Sequence, residues 1–266
     1  MEKSPQCPLN APPLRTAPLS VPPLNAPLYT QEAFQRAAGH AWRPGGEALT
    51  RYALDVCAFA PGARVLDVGC GPGDTLALLH ERGVWACGLD VRLPAPDVAA
   101  HEARDLPRIL GDGAALPMGA ATLDGIVCQC VLSLLPPIPG AGAALRGMAR
   151  ALRPSGLLLL SDVYVRTPSG PCGPDEAMPC ASPRTACWQG AISWEAQGAL
   201  LAAAGLSLVL AEDHSAALRE LAARMVWYGV RTESLPQWLG RKTACARGYG
   251  YGLWIARKDG TCRTFS

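Results

Sequence analysis

Residues Val65–Asp74 read VLDVGCGPGD, and TLALLHER follows at 75–82. An apolar run stops at a glycine-rich turn and a helix-compatible segment begins, which predicts strand, tight turn and helix. In an open α/β sheet such a turn lies at the carboxyl end of its strand. The unpaired N–H groups and positive dipole end of the next helix face the same space. Gly69, Gly71 and Gly73 accept positive φ and place no Cβ between backbone and ligand.

A dinucleotide fingerprint would read G-x-G-x-x-G. Here the turn reads G-C-G-P-G, and Asp67 stands on the strand just before it. A carboxylate there repels a pyrophosphate and suits a cationic amine. The next apolar run, VWACGLD at 84–90, predicts a second strand with Asp90 at its tip. An acidic residue about 20 positions beyond the glycine turn is placed to grip a ribose diol by paired hydrogen bonds.

Outward from this unit, RILGD (108–112) predicts a short third strand, LDGIVCQC (123–130) a fourth, and AGAALRGMARAL (141–152) a helix. An Arg153–Gly156 turn closes that helix, and LLLLSDV (157–163) is apolar enough for a strand covered on both faces. The motif Asp67-Val68-Gly69-Cys70-Gly71-Pro72-Gly73, Asp90, Asp112 and the run RALRPSGLLLLSDVY, in this order across roughly 62–163, resembles the class I S-adenosylmethionine (SAM) dependent methyltransferases. The resemblance implies an α/β fold with a doubly wound, mostly parallel seven-stranded sheet, and SAM as cofactor. It further implies Asp67, Gly69, Cys70, Gly71 and Gly73 on the methionine side, Asp90 with Val91 at the ribose, and Asp112, Gly113 and Ala114 at the adenine. It also implies that Gln129 and Cys130 would line the floor. By the same resemblance, the loop Val131–Leu135 is expected to border the transferred methyl group. Tyr29, Arg43 and Thr50, in the segment before the first strand, are candidates to cover the cofactor.

The rest of the 266-residue chain arranges itself around that core. Residues 1–28, rich in Pro, Ala and Leu, predict a disordered tail. Residues 29–266 are expected to form one methyltransferase domain: N-terminal helices at 29–61, the cofactor core at 62–163, an active-site loop at 164–192, and a C-terminal part at 193–266. The last part is read as a helix from Ser193, a strand at 206–211, a helix at 216–230 and a final strand at 249–256, antiparallel by the resemblance. Net charge is +2, with Lys and Arg scattered, so the expected partner is a small molecule and not nucleic acid. No apolar run reaches the roughly 18 residues of a membrane span, and the proline-rich start does not fit a secretory signal, so the expected location is cytoplasmic. The eleven cysteines are then read as reduced thiols.

SAM carries a methyl group activated on a sulfonium, so orientation and electrostatics are the protein's main tasks. No histidine falls near the expected methyl position, and His214 reads as a surface cap. That suits an acceptor needing no strong base: a thiol, arsenic or selenium centre, or a stabilised carbanion. Candidate substrate contacts are Ser133, Tyr164, Cys180 and Cys187. CWQGAIS (187–193) partially resembles a cysteine-bearing segment of arsenite methyltransferases, although Thr75 and Leu76 stand where those enzymes carry another cysteine. The spacing of Cys172, Cys180 and Cys187 misses the usual C-x2-4-C zinc pairs, so no metal is expected. Cys57 and Cys87 are expected in the core, and Cys128 and Cys130 on one face of the fourth strand. Carbon or oxygen methylation, a non-catalytic SAM or nucleoside binder, and an NAD(P)-linked oxidoreductase remain as alternatives.

Overall fold

The computed structural model describes residues 29, 31–39, 41–92, 105–135, 140–166, 190–230 and 248–260. The proline-rich tail, the loop with Cys172, Cys180 and Cys187, and His40 and His101 lie outside the described residues.

Apolar runs become strands here because helices bury both faces of the sheet. The strands are β1 (Arg64–Val68), β2 (Trp85–Asp90), β3 (Arg108–Leu110), β4 (Leu123–Gln129), β5 (Leu152–Val165), β6 (Leu206–Asp213) and β7 (Tyr249–Lys258). They form a seven-stranded sheet in the order β3-β2-β1-β4-β5-β7-β6. β3, β2, β1, β4 and β5 run parallel, whereas β7 is antiparallel to both β5 and β6. This is the doubly wound α/β fold expected. The strand order reverses between β1 and β4, so a crevice for ligands opens beyond their carboxyl ends.

The helices are α1 (Glu32–Ala38), α2 (Gly46–Cys57), α3 (Asp74–Glu81), α4 (Gly142–Ala151), α5 (Trp194–Ala203) and α6 (Ser215–Trp227). Two apolar cores result, one per sheet face. The first packs Phe34, Leu54, Leu76, Leu79 and Met225, from α1, α2, α3 and α6, against Val65, Val127 and Leu159. The second packs Leu145 and Met148 of α4 and Leu201 of α5 against Leu66, Ile126 and Leu158. Alternation along each strand divides the side chains, so neighbouring residues serve opposite cores.

Four details correct the sequence reading. The Arg153–Gly156 stretch does not end before β5 but lies within it, since Leu152 already pairs with Leu123 and the register shifts before Gly125 pairs with Leu157. Cys128 and Cys130 do not share a face: β4 ends at Gln129, and Cys130 turns off it with φ +56°. Cys128 is therefore buried in the core beside α4, while Cys130 packs against the opposite core. His214 occupies the N-cap of α6 without capping it. Asp213 does so, accepting from the Ser215 amide at 2.8 Å, while His214 Nε2 lies 3.0 Å from Glu212. Cys57 is buried as expected, but Cys87 is only half-buried.

Candidate functional site

At the end of β1 the chain folds over in a turn that contact, as much as conformational freedom, reserves for glycine. Gly69 has φ +75°, and a Cβ there would sit 2.3 Å from Val131 Cγ2. Gly71 has φ +47° and would place its Cβ in open space, so it marks the turn's open side. The turn is stitched to β2: the Gly69 and Cys70 amides donate to the Leu89 carbonyl at 2.7 and 3.2 Å. The Gly71 amide donates to Asp90 Oδ2 at 2.9 Å. Asp90 Oδ1 accepts from the Arg92 amide at 3.0 Å. This half-buried carboxylate thus stands at the β2 tip, with Val91 exposed beside it.

Asp67 lies beneath the turn, almost fully buried. Burial pushes its carboxyl up to about 7; Arg43 opposes the shift, Asp90 and Asp74 add to it, and Arg108 opposes it. The two arginines come from separate elements, β3 and the turn before α2. Arg108, on β3, donates to the Pro72 carbonyl at 3.0 Å and so braces the glycine turn. Arg43, from the turn before α2, is buried, and its Nε donates to Thr50 Oγ1 at 2.9 Å. Its Nη2 is buried without a hydrogen-bond partner among the described residues. A buried, unsatisfied guanidinium nitrogen is costly unless an acceptor, best of all an anion, reaches it.

After β3, Asp112 is exposed and its Oδ1 accepts from the Ala114 amide at 2.8 Å, capping the 3-10 turn Gly113–Ala115. Gly113 is buried against Val68 at the carboxyl end of β1. Asp67, Asp90 and Asp112 therefore follow one another at the ends of β1, β2 and β3.

On the other side of β1, the loop after β4 is held by a residue the sequence reading missed. Asp162 of β5 is buried, and its Oδ2 accepts from the Ser133 amide at 3.0 Å while Oδ1 accepts from the Val163 amide at 2.7 Å. Burial raises its carboxyl to about 6, with hydrogen bonds from Ser133 and Val163 holding it back. A lone acidic residue in an otherwise apolar strand was the available signal. The Ser133 carbonyl in turn accepts from the Gly190 amide at 2.9 Å. Ser133 is thus buried at the loop's centre. Tyr164 packs edge-on to Trp194 at 5.3 Å between ring centres and also meets Trp254. Gln129 and Cys130 lie in a polar network under the site. Burial pushes the Cys130 thiol up to about 12, which leaves it protonated. Cys180 and Cys187 fall outside the described residues. Among those described, no three His, Cys, Asp or Glu residues gather as a metal site, and no helix is long and apolar enough to cross a membrane.

Residues 65–156 match the family model of a methyltransferase domain. Demethylmenaquinone methyltransferase of Mycobacterium tuberculosis is 33% identical over 118 residues, 44% of this chain and 47% of that protein. Malonyl-(acyl-carrier protein) O-methyltransferase of Serratia marcescens is 33% identical over 135 residues, 48% of this chain and 50% of that protein. The chain thus spans about half the length of the curated relatives it matches. Among solved structures, Haemonchus contortus phosphoethanolamine N-methyltransferase 2 in complex with SAM superposes with a TM-score of 0.66 at 16% identity, covering 85% of this chain and 56% of that one. The cyclase SpnF does so with a TM-score of 0.60 at 22% identity, covering 83% of each chain. At these identities the structural likeness concerns the fold.

Proposed function

We propose that this protein is a SAM-dependent methyltransferase acting on a small-molecule acceptor. The observation that carries this reading is a buried carboxyl at the glycine turn that lies within the field of a buried guanidinium. Asp67 lies beneath the turn, the Arg43 charge acts on its carboxyl, and Arg43 Nη2 is buried and unpartnered among the described residues. An amino acid's ammonium and carboxylate are the groups such a pair suits. Asp90, at the next strand tip, keeps lone pairs for a ribose diol beside the two amides it accepts. Asp112, Gly113 and Ala114 would flank the adenine, with Val91 exposed near the ribose. Gly69, Cys70, Gly71 and Gly73 would follow the methionine chain. When bound, SAM supplies an electrophilic methyl group on a sulfonium. The protein's own residues would fix the two ends of the molecule, and the loop Val131–Leu135 would border the methyl. No proton transfer is assigned to any described residue.

The matched relatives suggest demethylmenaquinone-like acceptors and carrier-bound malonyl oxygen acceptors for trial. A thiol or trivalent arsenic acceptor, with Ser133, Tyr164, Cys180 and Cys187 at the substrate, is the finer proposal from sequence. The test is transfer of labelled methyl from SAM to a panel containing these four classes, with calorimetry of SAM against NADH. Methylated product from one class supports the proposal and chooses the acceptor. SAM binding without turnover on the whole panel would favour a binding protein, and tighter binding of NADH would overturn the cofactor.

A further inference from the structure

Four elements converge beneath the proposed site through one side-chain amide, and a fifth, β7, joins them through Ser161. Gln129, the last residue of β4, accepts at Oε1 from the Thr75 hydroxyl of α3 at 3.1 Å. Its Nε2 donates to Thr50 Oγ1 of α2 and to Ser161 Oγ of β5, both at 3.2 Å. Ser161 Oγ also accepts from the Tyr251 hydroxyl of β7 at 3.0 Å, and Tyr251 Oη lies 3.3 Å from Cys130 Sγ. Both amide hydrogens of Gln129 are therefore occupied by protein oxygens. It has no donor left for a ligand.

Thr50 is filled in the same way. A hydroxyl has one hydrogen and two lone pairs. The Thr50 hydrogen goes to the Gly46 carbonyl at 3.2 Å, and its lone pairs take Arg43 Nε–H at 2.9 Å and the Gln129 amide. Thr50 is completely buried, so its hydroxyl cannot turn to water if one of these bonds is lost. Arg43 is 9% exposed, its Nε is held by Thr50, and its Nη2 is buried with no partner among the described residues. One fork position of the guanidinium is anchored while another is left for an incoming acceptor.

We propose that Gln129 is a positioning residue which, through Thr50, sets the Arg43 guanidinium for the carboxylate of an amino-acid-bearing ligand. This rests on the cofactor reading above. Gln129 acts at a distance: it orients the Thr50 hydroxyl, the hydroxyl fixes Nε, and the planar guanidinium then carries the direction to Nη2. The nucleoside end of the ligand, held at β2 and β3, lies outside this chain of bonds.

Two ligands separate positioning from general support. S-Adenosylhomocysteine carries the amino acid, whereas 5'-deoxy-5'-methylthioadenosine has the same nucleoside and a thioether but no amino acid. Their affinities are measured by calorimetry for the full chain and for Gln129→Met, Thr50→Val, Arg43→Met and the Gln129→Met/Arg43→Met double variant. Thr50→Val conserves volume and tests the same relay if Gln129→Met folds poorly. Gln129→Met and Thr50→Val are each expected to weaken S-adenosylhomocysteine about tenfold while changing methylthioadenosine less than about twofold. In the Arg43→Met background, Gln129→Met is expected to add nothing. Equal weakening of both ligands, or additive effects of Gln129→Met and Arg43→Met, would overturn the positioning role. If the wild-type chain binds neither ligand, the cofactor reading fails and takes this inference with it.

Discussion

The glycine turn after β1 and the loop after β4 stand at the carboxyl ends of adjacent strands and meet where Gly69 faces Val131, yet they are held by different means. The turn is tied by its own amides to the next strand in the chain, at Leu89 and Asp90. The loop is tied by Asp162, 29 residues beyond Ser133, and by Gly190. A buried carboxylate lies under each. Burial raises both: Asp162 to about 6, held back by the amide N–H groups it receives, and Asp67, set among both acids and arginines, to about 7. The first region is held by local chemistry. The second is an assembly of distant segments.

Breaking the place where the two meet should cost most. Gly69→Val forces a branched side chain into positive φ and onto Val131. The sum of left-handed strain and overpacking is about 2–5 kcal/mol, measured by denaturant unfolding, with loss of SAM binding. An unfolding midpoint equal to wild type would mean that the contact is easily relieved. Asp162→Asn should cost about 1–3 kcal/mol, because one oxygen is replaced by an amide NH2 facing backbone donors. If the regions are as independent as their bonding indicates, this variant lowers kcat while SAM affinity stays within about threefold of wild type. An equal loss in both would show that the loop and the turn act as one.

The mildest effect, a pH dependence, sharpens the contrast from the Asp67 side. Its folded-state value of about 7 lies above the ordinary 3.8, so the ligand-free native state holds a proton that the unfolded chain has lost. Stability of the ligand-free protein therefore falls as pH rises from about 4 to about 7. A bound ammonium favours the ionised carboxylate, so binding releases this proton and affinity should rise about tenfold between pH 6 and 8, near 1.4 kcal/mol. Calorimetry in buffers of different ionisation enthalpy reads the proton directly. In Asp67→Asn the affinity should be lower and flat over that interval, and an unchanged slope would exclude Asp67 as its source.

Legibility followed the distance between partners. The β1 turn, Asp90 and Asp112 could be read because each is defined by its own strand end and the residues next to it. Arg43 could be singled out by its odd RPGG turn, but its burial within reach of the Asp67 charge depends on α2 packing against the sheet. Cys128 and Cys130 were misjudged because alternation holds only while the strand lasts, and β4 stops between them. Asp162 escaped notice because its partners, the amides of Ser133 and Val163, carry no side-chain signature. The Tyr251 hydroxyl joins the polar network only because antiparallel β7 sets it across from Val163 and near Ser161.

The sequence by itself determined the parallel α/β core and the order of acidic residues along its strand tips. Apolar runs, glycines and carboxylates express their preferences within a few residues of chain. Only the tertiary structure decided which buried polar atoms were satisfied and which were left over. It paired Gln129 with Thr50, Thr75 and Ser161, put Asp162 under the loop, and left Arg43 Nη2 without a partner among the described residues. Hydrogen-bond satisfaction is a property of a packed volume, and no stretch of chain read alone contains it.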